Sequence, residues 1–159
     1  MAFCSEHVSW LYRLSGSFTW QSNLPIGEDL AFKDKTGKVR LILEKGGRIT
    51  DTRGYSWNGC SPLFCLFDLS IGTPDGIVDK TTGRPKVYFA SLIHDALYQF
   101  LPEGLPLTRA QADGCFLALM NDTGFRLRHI YYLAVRAFGG LVRRVIHRSR
   151  ESQGSRLEL

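Results

Sequence analysis

No apolar run long enough to cross a membrane occurs in this chain of 159 residues. The longest apolar stretch, 130–142, is broken by Arg136 and by two glycines, and the first ten residues carry Glu6 and His7 rather than a signal-peptide core. Neither an export signal nor a spanning helix is expected, and the expected place of synthesis is the cytoplasm. Cysteine is scarce: Cys4, Cys60, Cys65 and Cys115 permit three pairings, but a chain of this size is not a short secreted scaffold, so free thiols are expected. Cys60 and Cys65 have no neighbouring His or third Cys, which excludes the usual zinc spacing. Internal repeats, low-complexity tracts, and Pro-rich or aromatic nucleic-acid signatures are also lacking, and nucleic acid ranks last among possible partners. One further absence is local. From Gly124 to Arg150 there are seven arginines and no Asp or Glu, so the charge of +5 is concentrated in a basic end.

What is present suits one globular unit. Hydrophobic residues at 44% and charged residues at 22% are ordinary usage, and the length matches a single α+β domain over 1–150 with a polar, frayed tail at 151–159. The first half reads as strands and turns. The segments 29–34 and 38–44 flank the turn signal Lys35-Thr36-Gly37, and Gly46-Gly47 leads into Ile49 and Thr50. With the aromatic-rich segment 9–20, these predict a small antiparallel sheet. Between 55 and 84, glycine and proline recur too often for a long regular element, while Trp57, Phe64, Phe67 and Leu69 supply packing side chains; a long ordered loop is expected.

The second half predicts a bundle of about three helices. Phe89, Ile93, Leu97, Phe100 and Leu101 share a face, and Pro102 with Gly104 ends that helix. Thr108 followed by Gln111 is a capping-box signature, and the helix it opens buries Ala112, Phe116, Leu119 and Met120 until Gly124. Ile130, Ala134, Ala137, Phe138, Leu141 and Val145 define the expected inner face of a third helix, loosened at Gly139-Gly140.

Chemistry concentrates on the first two helices. His94 and Tyr98 lie one turn apart beside the apolar face, Asp95 is rotated a further ~100° outward, and Asp113 occupies the matching flank of the second helix. Antiparallel packing lets Asp113 accept a hydrogen bond from one imidazole nitrogen and leaves the other as a base. Asp95, pointing elsewhere, is a candidate cation ligand, with backbone carbonyls of the 57–62 turn or the Asn58 amide as further oxygens. The plainer reading is a buried polar tie that sets the register of two helices.

The run His94-Asp95-Ala96-Leu97-Tyr98, with Ala112-Asp113-Gly114-Cys115-Phe116, resembles the helix pair of calcium-dependent phospholipases A2. That resemblance implies a water-activating His94, an Asp113 that orients it, a Tyr98 bonded to Asp113, and calcium on Asp95 with Asn58 and Gly59. The family's Cys-Cys pairs and its Cys-Gly-x-Gly loop are missing, with Asn58-Gly59-Cys60 in the corresponding place. A wider set of motifs is similar to the phage and bacterial family known as domain of unknown function 1353. It comprises 55–62, 72–76, 90–98, Arg109 with Asp113 and Phe116, and 132–140, in that order, and covers about residues 50–140. It implies phage or prophage origin and leaves the activity open.

Two functions follow as expectations: a calcium-assisted ester hydrolase acting on phospholipid, or a non-enzymatic virion or host-interaction protein. For the basic end, Arg143, Arg144 and Arg148 read as a solvated helix face, as a dock for anionic lipid, or as a contact to another virion protein.

Overall fold

The computed structural model describes residues 12–57 and 78–137. Its architecture is α+β: antiparallel strands come first and helices follow. Strand β1 (Tyr12–Arg13) pairs with β6 (Ser56–Trp57), and a four-stranded sheet is ordered β2 (Phe18–Gln21), β5 (Arg48–Asp51), β4 (Val39–Glu44), β3 (Leu30–Lys33), antiparallel throughout. The strands form where β-branched and aromatic residues alternate with polar ones. Leu41, Leu43 and Ile49 are fully buried on the inner face, while Thr19 and Thr50 bond each other on the outer one.

Both expected turns are in place. Asp34 accepts the backbone N–H groups of Thr36 and Lys38 and the Arg40 Nε, closing the β3–β4 hairpin around Gly37. Gly47 has φ of +96°, and a Cβ there would stand 2.5 Å from the Ser22 carbonyl, so no other residue fits the β4–β5 turn. The expected loop over 55–84 is corrected at its start: Ser56 and Trp57 are strand residues, paired with Arg13 and Tyr12. Trp57 earns that position by burying its indole fully while donating Nε1–H to Ser91 Oγ at 3.1 Å. At the loop's far end, Val78 bridges Pro85.

Helix α1 (Tyr88–Phe100) is the centre of the molecule. Ala90, Leu92, Ile93, Ala96, Leu97 and Phe100 are all fully buried, more than a single stripe supplies, because β4 and β5 cover one side and α2 (Arg109–Asp122) the other. A 3-10 turn, Leu101–Glu103, and left-handed Gly104 end α1. At the start of α2, Thr108 Oγ1 accepts the Gln111 N–H at 3.2 Å, and Gln111 Oε1 accepts the Thr108 N–H at 2.7 Å. Thr108→Ala is expected to cost about 1 kcal/mol, read as a lower urea midpoint with an unchanged slope.

The described part of a third helix, α3, covers 128–137. Its inner face differs from the expected one. Tyr131 is buried and Val135 packs on the core, whereas Ile130 is 60% exposed and Ala137 is exposed. The Tyr131 ring meets Phe125 edge-on at 5.1 Å, and Arg109 Nη2 donates to the carbonyls of Val135 and Arg136, which together rotate the helix by one position. Phe138, Leu141, Val145 and Gly139-Gly140 lie outside the described residues. One hydrophobic cluster runs from Leu14, just after β1, and Leu41 on β4 through α1 to Phe116 and Tyr131.

Candidate active site

The site is built by two short-range decisions. Helical spacing sets His94 and Tyr98 on one flank of α1 and Arg109 and Asp113 on one flank of α2. The Leu101–Thr108 connection then folds α2 back so that His94 meets Asp113 while Tyr98 meets Arg109, which is antiparallel packing.

Asp113 is the hub. Its side chain is fully buried; Oδ1 accepts from His94 Nε2 at 3.0 Å and from the Tyr98 hydroxyl at 2.6 Å. Oδ2 accepts from Arg136 Nη1 at 3.0 Å, with Arg109 Nε at 3.8 Å. The Tyr98 oxygen in turn accepts from Arg109 Nε at 2.9 Å. Burial alone would favour a neutral Asp113, but the bonds from His94, Tyr98 and Arg136 prevail and hold its pKa below the usual carboxylate value. The same contacts act oppositely on Tyr98, where burial and the adjacent Asp113 carboxylate push the phenol well up, so it stays a donor.

His94 is nearly buried, its ring packed on Tyr98 at 4.2 Å and on Phe116 at 4.9 Å. Burial opposes its charge, yet hydrogen bonding to Asp113 and Asp95 outweighs it and raises the imidazole pKa. With Nε2–H committed to Asp113, the neutral ring presents an Nδ1 lone pair. The expectation that Asp95 points elsewhere is corrected here: its Oδ1 lies 3.9 Å from Nδ1, so an arriving proton on Nδ1 faces a carboxylate. Asp95 is also the partly exposed side of the site, with 34% of its side chain reaching solvent. A shallow depression of about 280 Å³ lies elsewhere, between Pro25, Ile26, Leu30 and Pro106, and none of the dyad residues lines it.

Among the sequence-predicted site residues, the structure brings together His94, Asp95, Tyr98 and Asp113. Asn58 and Gly59, expected at a calcium position, lie outside the described residues, as do Arg143, Arg144 and Arg148. Three contributors escaped the sequence reading as site residues. Arg109 was legible in principle, four residues before Asp113 on the same helix. Arg136 was counted only as part of the basic end; its contact with Asp113 spans 23 residues and has no local signature. Asp51 was signalled by alternation, since it follows Ile49 by two and therefore faces inward. It is fully buried, neither carboxylate oxygen has a hydrogen-bond partner among the described residues, and burial together with the charge of Asp95 lifts its pKa well above normal.

Compared with known proteins, the chain matches no family model, and no curated protein or solved structure is significantly similar to it. The site must therefore be read from its own geometry. Cys115, a free thiol on the buried face of α2, has its pKa pushed up to about 12 by burial, which removes it as a nucleophile. Among the described residues no helix is long and apolar enough to cross a membrane.

The depressed Asp113 pKa has a pH consequence. Its ionised form is favoured by folding, so its contribution is complete above the unfolded carboxylate pKa, about 3.9, and disappears as pH falls through the lower folded value. Denaturation of wild type and Asp113→Asn across the acid range should therefore show a steeper loss in the wild type below about pH 5.

Proposed function

We propose that the protein is a phospholipase A2-like ester hydrolase, of phage or prophage origin, in which His94 is the general base. The observation that carries this reading is the 3.0 Å bond from His94 Nε2 to a fully buried, multiply bonded Asp113, with Nδ1 directed to the opposite, Asp95 side. Such a pairing fixes the tautomer and stabilises the imidazolium. In the reaction Nδ1 removes a proton from water as the water oxygen bonds to the ester carbonyl carbon. The proton then passes from His94 to the departing alkoxide as the carbon–oxygen bond breaks, returning the base. Tyr98, Arg109 and Arg136 keep Asp113 ionised and immobile through this cycle.

Calcium is part of the proposal. Asp95 would hold it, together with Asn58 and Gly59 by resemblance, and a partly exposed carboxylate oxygen is the ligand type that a hard cation takes. When bound, the ion would supply electrophilic stabilisation of the ester oxygen. The substrate class, phospholipid, follows from the resemblance of the helix pair. It agrees with an arginine-rich end, Arg143, Arg144 and Arg148, that suits an anionic membrane surface. The test is release of fatty acid from phospholipid vesicles by the full chain with calcium, compared with His94→Gln.

A second reading has its own observation. Asp113, on α2, accepts from α1 and α3, so the same network ties three helices and would suit a non-enzymatic virion or host-interaction protein. That reading expects no turnover with any metal.

A further inference from the structure

Four large apolar side chains stand exposed among the described residues, and three of them, Leu127, Ile130 and Leu133, follow one another at three-residue intervals along α3 and the turn before it. Ile130 is 60% and Leu133 64% exposed, and Ala137, two helical turns beyond Ile130, is exposed on the same side. The ridge exists because α3 is held by its opposite face: Tyr131 meets Phe125, Val135 packs on the core, and Arg109 donates to the carbonyls of Val135 and Arg136. Apolar side chains grouped on a surface, rather than scattered over it, mark a face that something covers. The charge beside the ridge is of one sign. Arg126 and His129 are exposed, Arg136 keeps 40% of its side chain in solvent while bonded to Asp113, and no Asp or Glu occurs from Gly124 to Arg150. The acidic residue just before that stretch, Asp122, accepts the indole N–H of Trp20.

We propose that the outer face of α3, with Leu127, Ile130, Leu133 and Ala137 as its apolar ridge and Arg126 and Arg136 beside it, docks on an anionic lipid surface. A helix lying in the plane of such a surface sinks its apolar side chains to the level of the acyl chains while its basic side chains extend to the phosphates, and the two attractions add. A second copy of the chain is a poorer occupant, because two arginine-bearing faces without a carboxylate between them would repel. A groove on another protein is disfavoured by size. A stable protein interface takes about 800 Å² from each partner, whereas the ridge is four side chains on one convex helix, which suits shallow insertion between headgroups. The surface deepens the hydrolase reading by naming the face that meets the lipid, and it rests on that reading for its role in turnover; the docking itself rests on the exposed ridge and its charge.

Cosedimentation of the full chain with phospholipid vesicles, in EDTA so that calcium plays no part, tests the surface. The wild type should bind vesicles that contain phosphatidylglycerol, bind pure phosphatidylcholine vesicles much more weakly, and lose affinity as sodium chloride is raised. Ile130→Ser combined with Leu133→Ser should lower the affinity for phosphatidylglycerol vesicles by about 10–100-fold with an unchanged Tm, because both side chains are already mostly in water in the folded chain. No preference of the wild type for anionic vesicles, or undiminished binding by the folded double variant, overturns the proposal. Self-association of the wild type that the double variant abolishes, without a loss of vesicle binding, assigns the ridge to a second copy and overturns it as well. Should the double variant not fold, the wild type's lipid preference and salt dependence decide. Docking without release of fatty acid when calcium is restored would remove the hydrolase and keep the surface, whereas release at the wild-type rate from phosphatidylglycerol vesicles by the folded double variant would do the reverse.

Discussion

On the hydrolase reading proposed above, replacement of His94 by alanine is expected to lower the rate of phospholipid ester hydrolysis by about 10²–10⁴-fold, with little change in KM. The reason is specific to the transition state. A base positioned by a buried carboxylate acts only while the proton leaves water, so its loss lowers kcat and leaves substrate binding alone. Alanine also opens space beside Tyr98 and Phe116, which pack on the imidazole, and some loss of stability follows from that alone. His94→Gln fills most of the volume and can still donate to Asp113, but offers no group basic enough to take the proton. A rate that survives in a folded His94→Gln protein would exclude His94 as the base.

Asp113→Ala should have the largest effect on stability, about 3–5 kcal/mol. The carboxylate is fully buried and accepts from His94, Tyr98 and Arg136, with Arg109 near; its removal strands donors from α1 and α3 at once. Urea denaturation at neutral pH would show it as a large drop in midpoint. Asp113→Asn separates structure from chemistry. The amide keeps an acceptor oxygen and most of the packing, so the stability cost should be much smaller than for alanine. Its NH₂ group, however, can face His94 Nε2 and force the ring proton onto Nδ1, which removes the lone pair that the hydrolase reading requires. A folded Asp113→Asn protein with undiminished hydrolysis would leave Asp113 as a tie between helices and nothing more.

Much of the scaffold was legible because it is locally encoded. The Asp34 to Arg40 hairpin and the Thr108–Gln111 box each draw their partners from within a few residues. Periodicity likewise located α1 and α2, since each carries apolar residues at helical spacing along one face. The same logic failed on α3. Its spacing fits two adjacent faces almost equally, and the choice between Ile130 and Tyr131 was made by Phe125 and by Arg109, neither of them on that helix. It also understated α1, where burial on two sides reflects the sheet and α2 acting together.

The candidate site divides along the same line. Sequence alone determined that His94 and Tyr98 share one helical flank, that Asp113 shares another, and that a short connection returns the second helix to the first, because 3.6-residue periodicity and a capped turn are properties of the chain itself. Only the tertiary structure decided that Asp95 leans toward Nδ1, that Arg136 closes on Asp113 from α3, and that Asp51 is sealed beneath α1 with no partner of its own. The last two depend on residues tens of positions apart, whose electrostatic meaning appears only when packing has removed the water around them.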